Sequence, residues 1–538
     1  VAVPPFARFR HRLARSAAPL LPLAVLSACT LGPADETPKP DWSPVSWLTG
    51  HPTPTAPVAA NPATPPPSVP TEAPIDPNWW SLFHDDELTS LESRVAGANL
   101  DVRVAGVRLR ESRAQLGVTA AGEYPTLEGT AAYTRQKISK EGVLSLEGSG
   151  TSTVPAPNTN GAGAVPNAAA GIYQPFNLFQ TGFDSTWEVD FWGRVRKQVE
   201  SAEASTTQSA EAQRDTLVQA LAEVARDYLQ LRGVQRDLEI TQHNLDVAQR
   251  NLSLTQQRAA GGLTTDLDVA NAAALVATIS SQLPTLQSQE ADLIDAIALL
   301  LGQPPQSLTA ELATAKPLPP VPPRVPVGVP SELARRRPDI REAEANLHAA
   351  TADIGVAVAD FYPKITLSGS VALQATQFKF LGTWGAANTW SFGPSLSVPL
   401  FEGGRLRRTL ELRRAEQQEA AISYQRAVLR ALHDVNTALT DYGAQQRRRD
   451  ALLVAVQQNE RAVKLAEERY SDGVADFLDV LDAQRSLLSA QQQANDSTTQ
   501  IATNLVTLYK ALGGGWETAL PDTGPEGVPP LDLQKLAE

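Results

Sequence analysis

The chain has 538 residues, and its 46 Lys and Arg against 59 Asp and Glu leave a net charge of −13. That acidic balance excludes nucleic-acid binding driven by bulk charge. A single Cys excludes a disulfide framework and a cysteine zinc site, and the six His (His11, His51, His84, His243, His348, His433) stand singly, without metal-ligand spacing.

The first thirty residues read as an address. Arg8, Arg10, Arg12 and Arg15 precede an apolar run from Ala17 to Leu26, about ten residues, the size of a signal-peptide core and too short for a membrane span. Leu26-Ser27-Ala28-Cys29 resembles a bacterial lipobox, in which the Cys thiol is acylated. Acyl chains contribute roughly 0.8 kcal/mol per buried CH₂, so a multiply acylated Cys29 is a firm anchor. Thr30, rather than Asp, follows it, which by resemblance to sorted lipoproteins favours the outer membrane. Residues 30–77 are dense in Pro, Thr and Ala and read as a tether without core-forming capacity. No later run of 18 consecutive apolar residues predicts a transmembrane helix.

Folded sequence is expected from Trp79-Trp80 onward, and it repeats itself. Arg258 to Asp268, with Gly262, matches Arg469 to Asp479, with Gly473, at an offset of 211. The same offset maps Gly193-Arg194 onto Gly404-Arg405 and Leu301-Gly302 onto Leu512-Gly513. Upstream, Leu109, Ala114, Gly117, Tyr124 and Pro125 match Leu347, Ala352, Gly355, Tyr362 and Pro363 at an offset of 238. The difference, 238 − 211 = 27 residues, places an insertion in the first copy's Gly-rich stretch around Gly148–Gly171. The resulting division is 1–29 signal, 30–77 tether, 78–303 first repeat, 304–335 Pro-rich linker, 336–516 second repeat and 517–538 tail.

Each repeat reads as a helix, two short strands, a very long helix, a turn and a returning helix. Strand character comes from period-2 alternation: Ile365, Leu367, Val371 and Leu373 against Thr366, Ser368 and Ser370. Trp390, Phe392 and Leu396 against Ser391, Ser395 and Ser397, and Phe179, Phe183 and Trp187 against Gln180 and Asp184, do the same. Residues 194–259 and 405–472 contain no Pro, and about 66 helical residues make a rod of roughly 100 Å. Glycines at 261–262 and at 473 stop the rods. The returning helices span about 265–301, with a kink expected at Pro284, and about 477–512.

Strands placed in lipid cannot leave edges open, because each unpaired backbone group there costs several kcal/mol. Four strands per chain are too few for a membrane barrel, so the chain must oligomerise. Two copies give a nearly filled barrel, and three give twelve strands and a lumen.

The Trp79-Trp80 opening, Arg336-Arg337-Pro338-Asp339, the Tyr-Pro pairs before the strands, Leu478 to Gln484 and Leu512-Gly-Gly-Gly-Trp516 together resemble the TolC-like outer-membrane efflux channels. The resemblance is to their lipoprotein branch serving resistance-nodulation-division (RND) pumps, the NodT-type outer membrane factors. It implies a mainly α fold with a membrane β-barrel, a homotrimer whose twelve-stranded barrel continues into an α-helical barrel, and no enzymatic activity. The implied partners are a periplasmic adaptor and an inner-membrane RND-type pump, with no cofactor beyond lipid on Cys29. Asp479 and Asp482, one helical turn apart, fall at the family's periplasmic gate, where three chains would form a cation-selective carboxylate ring; Asp268 is the weaker first-copy counterpart, accompanied by Asn271. The family's basic latch position holds Ala475, so no latch carries over. The turns Arg258-Gly262-Leu263 and Arg469-Gly473-Val474 would dock the adaptor. Tyr133, Phe179, Trp384 and Trp390 are candidates for interfacial belts. The rival readings are a type I protein-secretion channel and a soluble periplasmic coiled-coil scaffold; no phosphate-binding loop or nucleophile elbow supports an enzyme.

Overall fold

The computed structural model describes residues 33, 46–47, 67–137 and 175–520. Cys29 and the Gly-rich stretch 148–171 lie outside the described residues. The chain divides into two compact units, one containing 117–200 and 351–414, the other 35–116, 201–350 and 415–538.

The first unit is built on a four-stranded antiparallel sheet, ordered β2 (Thr126–Gln136), β3 (Phe176–Val189), β5 (Lys364–Ala375), β6 (Asn388–Ser397). Alternation gives the sheet two chemically distinct faces. Opposed residues share a face, so Phe183, Val371 and Trp390 line one side across three strands, as do Val189, Ile365 and Leu396. The other face carries Asp184, Ser370 and Ser391, where Thr130 donates to Asp184 at 3.0 Å and the two serine hydroxyls lie 2.9 Å apart. Phe183, Trp390, Phe392 and Leu396 are exposed on the apolar side. Below the sheet, the Trp192 indole donates to Pro363 O at 2.9 Å, and Arg194 grips Glu188 at 2.8 and 2.6 Å. Within this unit β2 and β6 are edges with one free side each.

The second unit is helical. Its elements include α1 (Asp86–Ala98), α2 (Leu100–Ala120), α3 (Arg194–Ala260), α4 (Asp266–Ser280), α5 (Gln282–Leu300), α6 (Pro338–Ala359), α7 (Arg405–Ser471) and α8 (Phe477–Leu512), of which α2, α3, α6 and α7 run on into the first unit. The rods α3 and α7 are each 67 residues, ending within a residue of the glycine-set expectation. Helical spacing puts Leu217, Leu221, Val224, Tyr228 and Leu231 on the buried stripe of α3, and Val428, Val435, Leu439 and Tyr442 on that of α7. Trp79 stacks on Tyr509 with ring centres 5.4 Å apart, and the guanidinium groups of Arg214 and Arg341 lie 4.7 and 5.4 Å from the Trp516 ring.

Three expectations need correction here. The tether does not extend to residue 77: Val69–Thr71 (β1) pairs in parallel with Arg324–Pro326 (β4), and Trp47 and Ile75 are buried in the core. The Pro-rich stretch 304–335 is likewise more than a linker, since Leu308, Leu312, Val325, Val327 and Leu333 are buried in that core. Proline density misled because extended, edge-type strands tolerate it. The first returning helix is not kinked at Pro284 but broken at Ser281; Pro284 then sits third in α5, where a helix needs no N–H. Taken together, residues 266–300 reach a mean hydropathy of 1.2 in their most apolar window, enough by composition for a membrane span, though no single apolar run announced it. The break splits them into helices of 15 and 19 residues.

Candidate functional site: the paired helix-reversal turns

The ends of the two rods are the same turn built twice. At the first, the Gly262 N–H donates to Ala259 O at 2.9 Å and the Leu263 N–H to Arg258 O at 2.8 Å. At the second, Gly473 donates to Tyr470 O at 3.1 Å and Val474 to Arg469 O at 3.0 Å. Both glycines are left-handed, with φ of 72° and 75°, a conformation a Cβ would strain. Beneath the turns, Leu245, Leu275 and Ile279 of the first copy pack with Phe477, Val480, Leu481 and Leu488 of the second.

One arginine ties the turns together. The Arg258 guanidinium lies 4.6 Å from the Tyr470 ring centre and donates to the carbonyls of Tyr470 at 3.1 Å and Ser471 at 3.3 Å. Those carbonyls end α7, where the helix dipole is negative, so the cation meets both a ring face and a dipole. Its repeat mate Arg469 is exposed, and the residue corresponding to Tyr470 is Ala259, which offers no ring. Tyr470 also packs on Phe477, with ring centres 5.2 Å apart.

The turns project apolar side chains outward. Leu263 is 76% exposed and Val474 66%; one helical turn further on, Leu267 is 68% exposed and Leu478 54%. Leu267 and Leu478 are not among the docking residues read from the sequence, although the offset of 211 that pairs Leu263 with Val474 pairs them too.

The acidic residues separate into two roles. Asp268 closes a capping box: it accepts from the Thr264 hydroxyl at 2.6 Å, the Thr265 hydroxyl at 2.8 Å and the Thr265 N–H at 3.1 Å. The Thr264 hydroxyl above all, with Thr265, holds its carboxyl below the usual carboxylate range. In the second copy those threonines are replaced by Ala475 and Asp476, and Asp479 accepts no hydrogen bond on its carboxylate among the described residues. Asp479 and Asp482 are exposed on one face of α8 while Val480 and Leu481 turn inward. Arg485, one turn on, approaches Asp482 only to 3.9 Å.

Comparison with known proteins places this arrangement. The family model described as outer membrane efflux protein matches residues 91–303 and 329–514. The chain is 34% identical over 504 residues to the pyoverdine export outer membrane protein OpmQ of Pseudomonas putida, covering 93% of this chain and 98% of that protein. It is 30% identical over 502 residues to nodulation protein T of Rhizobium leguminosarum bv. viciae, covering 93% and 94%. Among solved structures it resembles the outer-membrane channel OprN, with a TM-score of 0.78, 32% identity and coverage of 91% of this chain and 100% of that one. The matched segments contain both strand pairs, both rods and both reversal turns, and on that ground the chain belongs to the outer membrane efflux protein family.

Proposed function

We propose that the chain is the outer-membrane channel of a tripartite efflux system, passing small molecules outward from an inner-membrane RND-type pump through a periplasmic adaptor. The observation that carries this reading is the four-stranded sheet. It has one apolar face, one polar face and two unpaired edges, a combination stable in lipid only when several copies close a barrel. Three copies supply twelve strands around a polar lumen, and the rods continue the conduit on the periplasmic side. The chain performs no chemistry; energy comes from the pump. Acylation of Cys29 anchors the channel in the outer membrane, and Tyr133, Phe179, Trp384 and Trp390 mark its interfacial belts.

Within this assembly Asp479 and Asp482 form the gate ring, because both project from α8 with no threonine to occupy Asp479. Asp268 belongs to the same level but is committed to its helix cap, so it contributes less charge to the passage. The exposed pairs Leu263 with Leu267 and Val474 with Leu478 are the adaptor-docking surfaces, held in shape by Gly262 and Gly473 and linked by Arg258; Arg469 flanks the second.

Deletion of the gene should sensitise the cell to a panel of dyes, detergents and drugs, and restoring it should reverse the effect. Purified channel carrying Asp479→Ala and Asp482→Ala should lose several-fold of its cation preference in planar bilayers. Unaltered susceptibility on deletion would sink the efflux assignment, and unaltered ion selectivity would sink the gate.

A further inference from the structure

The two ends of the four-stranded sheet differ in how their positive charges are met. β3 and β6 run toward the rods, which begin at Arg194 and Arg405. At that end the cations are neutralised within the chain: Arg194 pairs with Glu188 at 2.6 Å, Arg196 with Asp190 at 3.3 Å, Lys364 with Asp360 at 3.1 Å, and Arg405 with Glu402. The far end carries Arg135, Lys137 and Lys379, all exposed. Residues 133–137, 175–181 and 373–390, which make up that end, contain no Asp or Glu, and none of the three cations meets a carboxylate among the described residues. Like charges gathered at one end of a sheet attract an anion from outside the chain.

Alternation sets the side on which that anion would be met. Phe183, Val371 and Trp390 define the apolar face. Phe179, four residues from Phe183, stands on it, as do Tyr133 opposite Phe179 and Arg135 two residues beyond Tyr133. The contacts agree: the Tyr133 hydroxyl donates to Asn177 Oδ1 at 3.1 Å, and Arg135 Nη1 donates to the same oxygen at 3.4 Å. Phe378 meets Phe179 edge to face, with ring centres 5.7 Å apart, which brings the turn Phe378–Phe380 to the same side. There Lys379 Nζ lies 4.8 Å from the centre of the Phe380 ring. Tyr133, Phe378, Phe380 and Trp384 are exposed, so the cations stand on an aromatic shelf.

The inference rests on the membrane-barrel reading above, which sets the depth of that shelf. Along β3, ten residues separate Val189 from Phe179. At about 3.4 Å each and a tilt of about 40° they rise about 26 Å, against an apolar band about 25 Å tall in such barrels. The band therefore closes at Tyr133 and Phe179, and Arg135 and Lys137 fall just beyond it, among the headgroups of the outer leaflet. In a bacterial outer membrane that leaflet is built of acylated sugars carrying phosphates. We propose that Arg135, Lys137 and Lys379 bind the phosphate groups of this glycolipid, with Tyr133, Phe378 and Trp384 lying along the junction of its sugars and acyl chains. Arg135 is steered by Asn177 through one N–H, and the rest of its planar fork is free to take a phosphate in bidentate fashion. The two lysines add point charges without fixed geometry.

The test uses full-length trimer in neutral detergent, with native mass spectrometry counting bound lipid during titration. The probes are bis-phosphorylated lipid A, the same lipid stripped of its phosphates, and phosphatidylglycerol. The variant carrying Arg135→Gln, Lys137→Gln and Lys379→Gln should bind phosphorylated lipid A roughly tenfold more weakly than the native channel. Arg135→Lys should fall between them, because it keeps the charge and loses the fork. Arg408→Gln, which removes an exposed cation from the rod, should bind as the native channel does. The dephosphorylated lipid and phosphatidylglycerol should bind native and triple-variant channels alike, and weakly. Equal affinity of native and triple-variant channels for phosphorylated lipid A would overturn the site. Equal affinity of the native channel for the dephosphorylated lipid would overturn phosphate recognition, and equal affinity for phosphatidylglycerol would overturn the commitment to the outer-leaflet glycolipid. Ion conduction by each variant in planar bilayers shows that it folds and inserts. A native channel that conducts but shows no preference for phosphorylated lipid A overturns this site alone, whereas a native protein that does not conduct overturns the membrane-barrel reading beneath it.

Discussion

Arg258 joins the two turns through its guanidinium. Removing its guanidinium deletes two donors to helix-end carbonyls and a ring contact, a loss of about 1–3 kcal/mol. Arg258→Ala should therefore loosen the turns, seen as longer open times in single-channel recordings, with little change in expression. Asp227 tests the helical core instead. Burial pushes its carboxyl up to about 6, with Glu223 adding to the rise and Arg226 opposing it. The folded protein thus holds a proton that the unfolded chain gives up near its ordinary value, so stability declines as pH climbs between those two values and is flat above. Two pH units correspond to roughly 3 kcal/mol. Asp227→Asn should raise the apparent melting temperature at pH 7.5 by several degrees, and the gain should vanish near pH 4.

At the scale of elements, the approach of α3 to α8 depends on Gly233. A Cβ there would sit 2.5 Å from the Thr499 hydroxyl oxygen and 2.8 Å from its methyl, and Thr is stiff at χ1. Asn495, on the same helix as Thr499, donates to Gly233 O at 2.8 Å, so the close approach is also hydrogen-bonded. Gly233→Ala should cost about 1–3 kcal/mol by forcing the helices apart, measurable as a lower melting temperature in detergent, whereas Gly443→Ala, whose nearest contact is a flexible arginine tip at 3.6 Å, should be near neutral. The elements also show what was legible. The rods could be read because Pro is missing and apolar spacing persists for dozens of residues, and the reversal turns because glycine alone tolerates their backbone. The β1–β4 pair could not be read: Val69-Pro70-Thr71 and Arg324-Val325-Pro326 carry no alternation, and their pairing partner lies about 250 residues away along the chain. The capping role of Asp268 was legible in Thr265-x-x-Asp268, a capping-box spacing, but was overshadowed by its match to Asp479.

At the scale of the molecule, the two repeats are interleaved and do not stand side by side. Trp79 of the first copy stacks on Tyr509 of the second, and Trp516 packs with Arg214 of one and Arg341 of the other. Neither half can bury its core alone. Residues 78–303 and 336–516 expressed separately should be protease-sensitive and lack a cooperative thermal transition, while co-expression should restore protection. The duplication has a further effect at the reversal turns. The same carboxylate position exists twice, once fastened by Thr264 and Thr265 and once, at Asp479, with Ala475 and Asp476 standing in the threonines' places. In the channel proposed above, holding the backbone and facing the passage are divided between twins: Asp268 fastens the first turn, and Asp479 carries no such task, so a substitution at Asp479 leaves the fastening of the first turn untouched.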